Sequence, residues 1–227
     1  MAKRNSIKWL KEIRRFYNMR VLVIGANGKV GSHVVHKLKE AGHEPVAMVR
    51  KEEQANQFKK ENVLTVLADL EGDFHKAFND VDAVVFAAGS GPNTGADKTI
   101  IIDQEGAIES VDLALKHGVK RFVLLSSMGA DNPKAADQIK HYLYAKHRAD
   151  EHLQKSGLNY KILRPGALTN DEGTGKVNLH EGQPEKGSIA REDVAEVLTE
   201  LVISPSSENK ILNVIEGDQP IKEVFKG

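Results

Sequence analysis

Two residues of this 227-residue chain are spaced to act as a chemical pair. Tyr142 and Lys146 are four positions apart, so a helix puts them on one face. Ile139, Tyr142, Lys146, Ala149 and Leu153 recur in steps of three and four, which sets the pair in an otherwise apolar stripe. A lysine in such a stripe is costly unless it is paired or useful. A phenol titrating near pH 10 is a poor base at neutral pH, and an ammonium one turn away favours the phenolate. The chemistry suggested is proton transfer to or from a substrate oxygen. Ser126 and Ser127 end an apolar run just upstream, and the Ser127 hydroxyl is placed to orient a carbonyl. A packed tyrosine beside a lysine that lays its stem on apolar surface satisfies the same spacing.

A second feature supplies the partner for such proton chemistry. Gly25-Ala26-Asn27-Gly28-Lys29-Val30-Gly31 follows the apolar run Val21–Ile24 and precedes a helical pattern at Val30, Val34, Val35 and Leu38. The first glycine suits a tight strand-to-helix turn, the second close approach to a pyrophosphate, and the third close helix–strand contact. The helix N-terminus then offers free N–H groups to phosphates. An ordinary βα turn containing glycines is the plainer reading. An acid at the end of the second strand is usual for NAD, but here Arg50-Lys51 stands at that place. A guanidinium suits a 2′-phosphate, so NADP is expected in preference to NAD, with Lys29 as a second cation. Asp69-Leu70 is expected against the adenine. Ala87-Ala88-Gly89 leaves room for ribose and nicotinamide at the carboxyl edge of a sheet, or simply packs a helix there.

These residues need a scaffold, and the pattern around them supplies one. Short apolar runs at 21–24, 45–49, 63–67, 83–87, 122–125 and 160–163 alternate with helical periods at 30–41, 100–115 and 135–154. This is the texture of an α/β protein with a doubly wound parallel sheet, expected in the order 3-2-1-4-5-6. After Pro165 the chain turns rich in Gly, Asn, Thr and Glu, with a short strand at 176–179, a helix at 191–202 and a last strand at 210–215. That part is expected to form a small C-terminal cap, so residues 19–227 read as one domain.

Residues 1–18 stand apart, with six Lys/Arg against one acid, while the whole chain balances 32 cations with 32 acids. Ile7, Leu10, Ile13 and Tyr17 lie at helical spacing among Lys8, Lys11, Arg14 and Arg15. This basic extension reads first as a helix docked on its own domain or on a second copy in a homo-oligomer. An anionic membrane surface or another partner is the alternative. No overall basic field points to nucleic acid. No apolar run reaches the roughly 18 residues of a membrane span. Cysteine is absent, which excludes disulfides and thiolate catalysis and fits a reducing, cytoplasmic setting. His33 and His36 share a helix face without a third ligand, so no metal site is expected.

Taken together, the 25–31 turn, Asp69-Leu70, the 124–130 run Leu-Leu-Ser-Ser-Met-Gly-Ala, Tyr142-x-x-x-Lys146, Leu163-Arg164-Pro165-Gly166 and the 189–195 segment resemble the short-chain dehydrogenase/reductase superfamily, in its small atypical members of the NAD-dependent epimerase/dehydratase type. The similarity runs over about residues 19–225. It implies a Rossmann fold and a catalytic set of Ser127, Tyr142 and Lys146. It further implies cofactor contacts from Gly25, Asn27, Gly28, Lys29, Val30, Gly31, Arg50, Asp69, Leu70, Ala87, Ala88, Gly89, Ser126, Lys146, Arg164 and Pro165. Related enzymes often carry an asparagine where this chain has Asp103, and an ionised acid cannot donate as an amide does. Two functions follow: an NADP-dependent oxidoreductase or epimerase/dehydratase acting on a small carbonyl or hydroxyl substrate, or a non-catalytic NADP-binding sensor.

Overall fold

The computed structural model describes residues 18–91, 94–182, 186–206 and 208–226. The basic segment 1–17 therefore lies outside the described residues. Strand β1 (Arg20–Ile24) starts the fold at the centre of the sheet, because Val21 through Ile24 are apolar on both faces and fully buried. It leads through the glycine turn into α1 (Lys29–Glu40), then β2 (Glu44–Val49), α2 (Glu52–Lys60) and β3 (Leu64–Leu67). A 3₁₀ turn at His75–Phe78 precedes β4 (Ala83–Phe86). A π-helical stretch, Thr99–Glu105, runs directly into α3 (Gly106–Lys116), followed by β5 (Arg121–Leu125), α4 (Lys140–Lys155) and β6 (Tyr160–Pro165). The chain then forms β7 (Ala167–Thr169), β8 (Lys176–His180), β9 (Ser188–Ala190), α5 (Arg191–Ile203), β10 (Lys210–Glu216), β11 (Gln219–Pro220) and α6 (Ile221–Val224).

The main sheet has the order β3-β2-β1-β4-β5-β6-β10-β8-β11, so the expected doubly wound order is present and extended at one edge. Strands β3 through β10 run parallel, and β8 joins β10 antiparallel. Residues after Pro165 thus enlarge the same sheet, while β7 and β9 form a separate two-stranded parallel ladder. Alternation along each strand sorts the core into two layers. Val21, Val23 and Val85 face α1 and α5 through Val30, Val34, Val197 and Leu198. Leu22, Ile24, Phe86 and Leu124 face the opposite layer through Phe78, Val111 and Leu153. The carboxyl ends of β1, β2, β4, β5 and β6 are left along one edge, where ligands of open α/β sheets lie.

Two helices differ from the sequence expectation. The helix expected from Ala135 begins at Lys140, because Pro133–Ala135 makes only a 3₁₀ turn and Ile139 takes a left-handed backbone with φ 33°. That conformation is rare for a β-branched residue. Ile139 is therefore 57% exposed and outside the apolar stripe it seemed to head. The helix expected over 100–115 exists, but its first half is π-wound, which turns Thr99, Ile102 and Asp103 inward. Helix α2 escaped the periodicity because only Ala55 and Phe58 of its nine residues are buried. Among the described residues no helix is long and apolar enough to cross a membrane.

Candidate active site: a nucleotide cleft beside a buried charge cluster

The glycine turn takes its shape from steric contact at the β1/β4 junction. Gly25 has φ 84°, and a Cβ there would lie 2.6 Å from the Ala88 nitrogen. A Cβ on Gly31 would meet the Gly25 carbonyl oxygen at 2.2 Å, so the helix can rest on the turn only without one. Gly28 differs from the other two. Its φ of −76° and ψ of 164° suit any residue, and a Cβ would sit 3.1 Å from the Gly25 oxygen. Its demand for glycine comes from the cleft it lines, not from its dihedral angles. The first turn of α1 has neither a capping side chain nor an acid, so its N–H groups are available to an anion.

A cavity of about 350 Å³ opens beside this turn. Gly25, Asn27, Gly28, Arg50, Asp69, Leu70, Ala87, Ala88 and Gly89 all line it, which unites most of the expected cofactor residues. Arg50 is exposed at the end of β2, and Gln54 accepts hydrogen bonds from the Arg50 and Lys51 backbones at 3.1 and 3.2 Å. Sequence reasoning missed Ser90, Lys98 and Glu71 in this wall. Lys98 and Glu71 form an ion pair of 2.5 Å between opposite sides of the cleft.

Other expected residues lie elsewhere. Val30 and Gly31 are buried where the helix meets the sheet. Lys29 does not join Arg50. It donates to the Asn170 side chain at 3.1 Å and lines a separate groove of about 500 Å³ with His33 and Arg191. Arg191 is held by the carbonyls of Leu168 and Thr169 and by Asn170. His36 is separated from that groove and meets Glu61 at 2.6 Å. Pro165 is buried, and its carbonyl accepts the Met128 N–H, tying the loop after β5 to β6.

Tyr142 and Lys146 are brought together on α4, with the ammonium 5.6 Å from the ring centroid. Tyr142 is half-buried, whereas Lys146 is 3% exposed. The Lys146 ammonium donates to the Leu125 carbonyl at 3.2 Å and lies 3.1 Å from Asp103 Oδ1 as an ion pair. Burial pulls its pKa down, but electrostatic interactions with Tyr142, Asp103 and Asp150 outweigh that and hold it above the ordinary lysine value. Lys146 is thus committed inside the protein and does not line the cavity. Ser127 is half-buried and its hydroxyl donates to the Met128 carbonyl at 3.2 Å, so it turns to its own loop.

Arg164, expected at the cofactor, instead grips Asp150, with Nε and Nη2 at 2.9 and 2.8 Å from one carboxylate oxygen. Ser126 is buried beside this pair, and among the described residues neither its hydroxyl nor Asp150 Oδ1 has a hydrogen bond of good geometry. Burial pushes the Asp150 carboxyl above its usual range, against the opposing pull of Arg164, Ser126 and Lys146. A signal for this cluster was present in the sequence. Leu143, Lys146, Asp150 and Leu153 repeat at helical spacing, which places an acid beside the lysine in the core stripe.

The fold and the cleft define a Rossmann-type dinucleotide-binding protein. Residues 25–205 match the family of NAD(P)H-binding proteins, and the chain belongs to that family. A Bacillus subtilis relative, an uncharacterized sugar epimerase, is 40% identical over 213 residues, covering 92% of this chain and 99% of its own. A Bacillus halodurans structure assigned provisionally to the NAD-dependent epimerases/dehydratases is 48% identical, with a TM-score of 0.87 over 92% of this chain and 99% of that one. The Lactococcus lactis oxidoreductase ylbE is 32% identical, with a TM-score of 0.82 over 92% and 95% of the two chains. The superfamily resemblance seen in the sequence therefore stands, and a nicotinamide dinucleotide is the class of cofactor.

Two outcomes test this description. Gly28→Val should fold but lose affinity for its nicotinamide dinucleotide, NADPH and NADH alike, by more than about tenfold in a fluorescence titration, since its side chain enters the cleft. Arg164→Met should leave Asp150 buried without its partner and cost about 3–5 kcal/mol at neutral pH. A carboxyl whose folded pKa is raised stabilises the fold below its unfolded pKa, and that contribution is lost as pH rises through the folded value. Removing Arg164 raises the folded pKa of Asp150 further. Urea unfolding should therefore show the variant closest to wild type at acidic pH and falling behind as pH rises to neutrality.

Proposed function

We propose that the protein is an NADP-dependent oxidoreductase or epimerase/dehydratase-type enzyme acting on a small carbonyl or hydroxyl compound, with Tyr142 as the acid–base group. The observation that carries this reading is a half-buried phenol with the Lys146 ammonium over its ring, on the helix that follows β5 at the sheet's carboxyl edge. A nicotinamide dinucleotide held in the cleft would supply hydride chemistry there. Tyr142 gives its hydroxyl proton to the substrate oxygen when a carbonyl is reduced, and takes it back in the reverse direction. The Lys146 ammonium stabilises the negative charge that Tyr142 gains in that transfer. The α1 N-terminus and the 25–31 turn would hold the pyrophosphate. Arg50 would hold the 2′-phosphate. The sugar epimerase description of the Bacillus subtilis relative supports a substrate that carries hydroxyl or carbonyl carbons.

A second reading, NADP binding without turnover, draws on Ser127. Its hydroxyl bonds the Met128 carbonyl, so it must rotate before it can orient a substrate.

Cofactor choice is tested by titration. Wild type should bind NADPH more tightly than NADH. Arg50→Ala should lose about tenfold or more of NADPH affinity with little change for NADH. Equal wild-type affinities would overturn the NADP assignment. Catalysis is tested with a substrate found by screening small aldehydes and ketones for NADPH oxidation. Tyr142→Phe should keep NADPH affinity and lose about 10²–10⁴-fold in turnover. An undiminished rate would remove Tyr142 from the mechanism, and NADPH binding without any turnover would favour the sensor.

A further inference from the structure

Asp103 is an acid whose surroundings give it a role of its own. It is fully buried in the π-helical stretch before α3. Such windings are uncommon and cluster at functional sites. Asp103 Oδ2 accepts the Ser90 backbone N–H at 2.9 Å. The Ser90 hydroxyl lies 3.2 Å from that of Thr99, one turn before Asp103. A Cβ on Gly89 would come within 3.1 Å of Asp103 Oδ1, so the backbone rests directly on the carboxylate. Gly89 and Ser90 line the nucleotide cavity. The second oxygen, Oδ1, faces Lys146 at 3.1 Å as an ion pair and accepts no hydrogen bond of good geometry among the described residues.

We propose that Asp103 is a positioning residue that couples the wall of the nucleotide cleft to the Tyr142–Lys146 pair, one carboxylate oxygen holding Ser90 and the other holding the ammonium. The proposal rests on the nucleotide reading of the cleft but on no turnover. An amide at this position could accept the Ser90 N–H equally well but could not neutralise Lys146. The charge, rather than the hydrogen bond alone, is therefore the reason for an acid here. Lys146 is faced by Asp103 from the π-helical stretch and by Tyr142 and Asp150 from its own helix, with Arg164 of β6 behind Asp150. Without Asp103, burial is opposed by one interaction fewer and the ammonium loses its proton at lower pH. Any shift of Gly89 and Ser90 moves the carboxylate, and with it the cation beside Tyr142.

The test uses the full chain with Asp103→Asn, Lys146→Met and the double variant. In the unliganded protein, amide exchange at the peptide containing Ser90 should quicken at least about fivefold in Lys146→Met, although Lys146 does not touch Ser90. Each single variant should weaken NADPH binding about three- to tenfold, and the double variant should be no worse than the weaker single one. Affinity should stay level between about pH 6.5 and 9.5 in wild type and fall across that range in Asp103→Asn. Unchanged Ser90 exchange in Lys146→Met, or independent multiplying effects of the two changes, would overturn the coupling. So would a lowered melting temperature with wild-type NADPH affinity and a level pH profile. If wild type fails to bind NADPH, the NADP reading falls, and Ser90 exchange in Lys146→Met still decides this proposal.

Discussion

The structure depends on how closely three backbone segments meet where β1, β4 and α1 converge. Gly25 must pass under Ala88, and Gly31 must rest on the Gly25 carbonyl, at separations that no side chain permits. This contact fixes the start of α1 against the centre of the sheet. It sets the direction of the helix's free N–H groups and opens the space between the β1 and β4 loops. The strand order reverses at this junction, so a crevice at the carboxyl edge follows from the topology. Everything described around the cleft, from Arg50 on one side to Gly89 on the other, is placed relative to that contact.

The neighbouring charge cluster is held by a different balance. Asp103, Lys146, Asp150 and Arg164 are two opposite pairs, all buried in the layer that joins β5, β6, α4 and the π-helical stretch. Burying an ion pair costs desolvation that its mutual attraction does not always return. Here the outcome differs between partners. For Lys146 the surrounding negative charge wins and the ammonium is favoured, whereas for Asp150 desolvation wins and the carboxylate is disfavoured. An apolar core of the same volume would hold these elements as firmly. What the charges add is direction, since each carboxylate has a particular cationic partner and that pairing limits the rotation of the element that carries it.

The C-terminal third shows how the same sheet is put to more than one use. By adding β10, β8 and β11 beyond β6, it buries that strand between neighbours on both sides. Asp193 of α5 accepts the backbone N–H groups of Thr174 and Gly175, which pins the loop before β8 to the helix start. Next to it, Lys29 and Arg191 share Asn170, so the first residue of α1 and the first residue of α5 are tied to the loop after β7. That loop adjoins the groove on the α1/α5 side of the sheet, while Tyr142 lies on the α3/α4 side.

The sequence by itself determined the order of the first six strands, the glycine turn, the cofactor class and the Tyr142–Lys146 pair, while the edge that β10, β8 and β11 add to the sheet read only as a small C-terminal cap. Those features are local: apolar runs bury both faces of a strand, glycine spacing answers backbone sterics, and residues four apart share a helix face. It placed Lys29 and Arg164 at the cofactor and began α4 at Ala135, whereas the structure directs both side chains elsewhere and begins the helix at Lys140. Lys29 is one residue past Gly28, yet it reaches a residue 141 positions away, and Arg164 is drawn to Asp150 on another element. Ile139 has the right spacing for the core stripe but the wrong backbone conformation to join it. A charged side chain long enough to reach several partners goes to whichever the assembled elements leave buried or polar. Only the tertiary structure decided that, because burial sets the cost of an unpaired charge and no spacing along the chain records it.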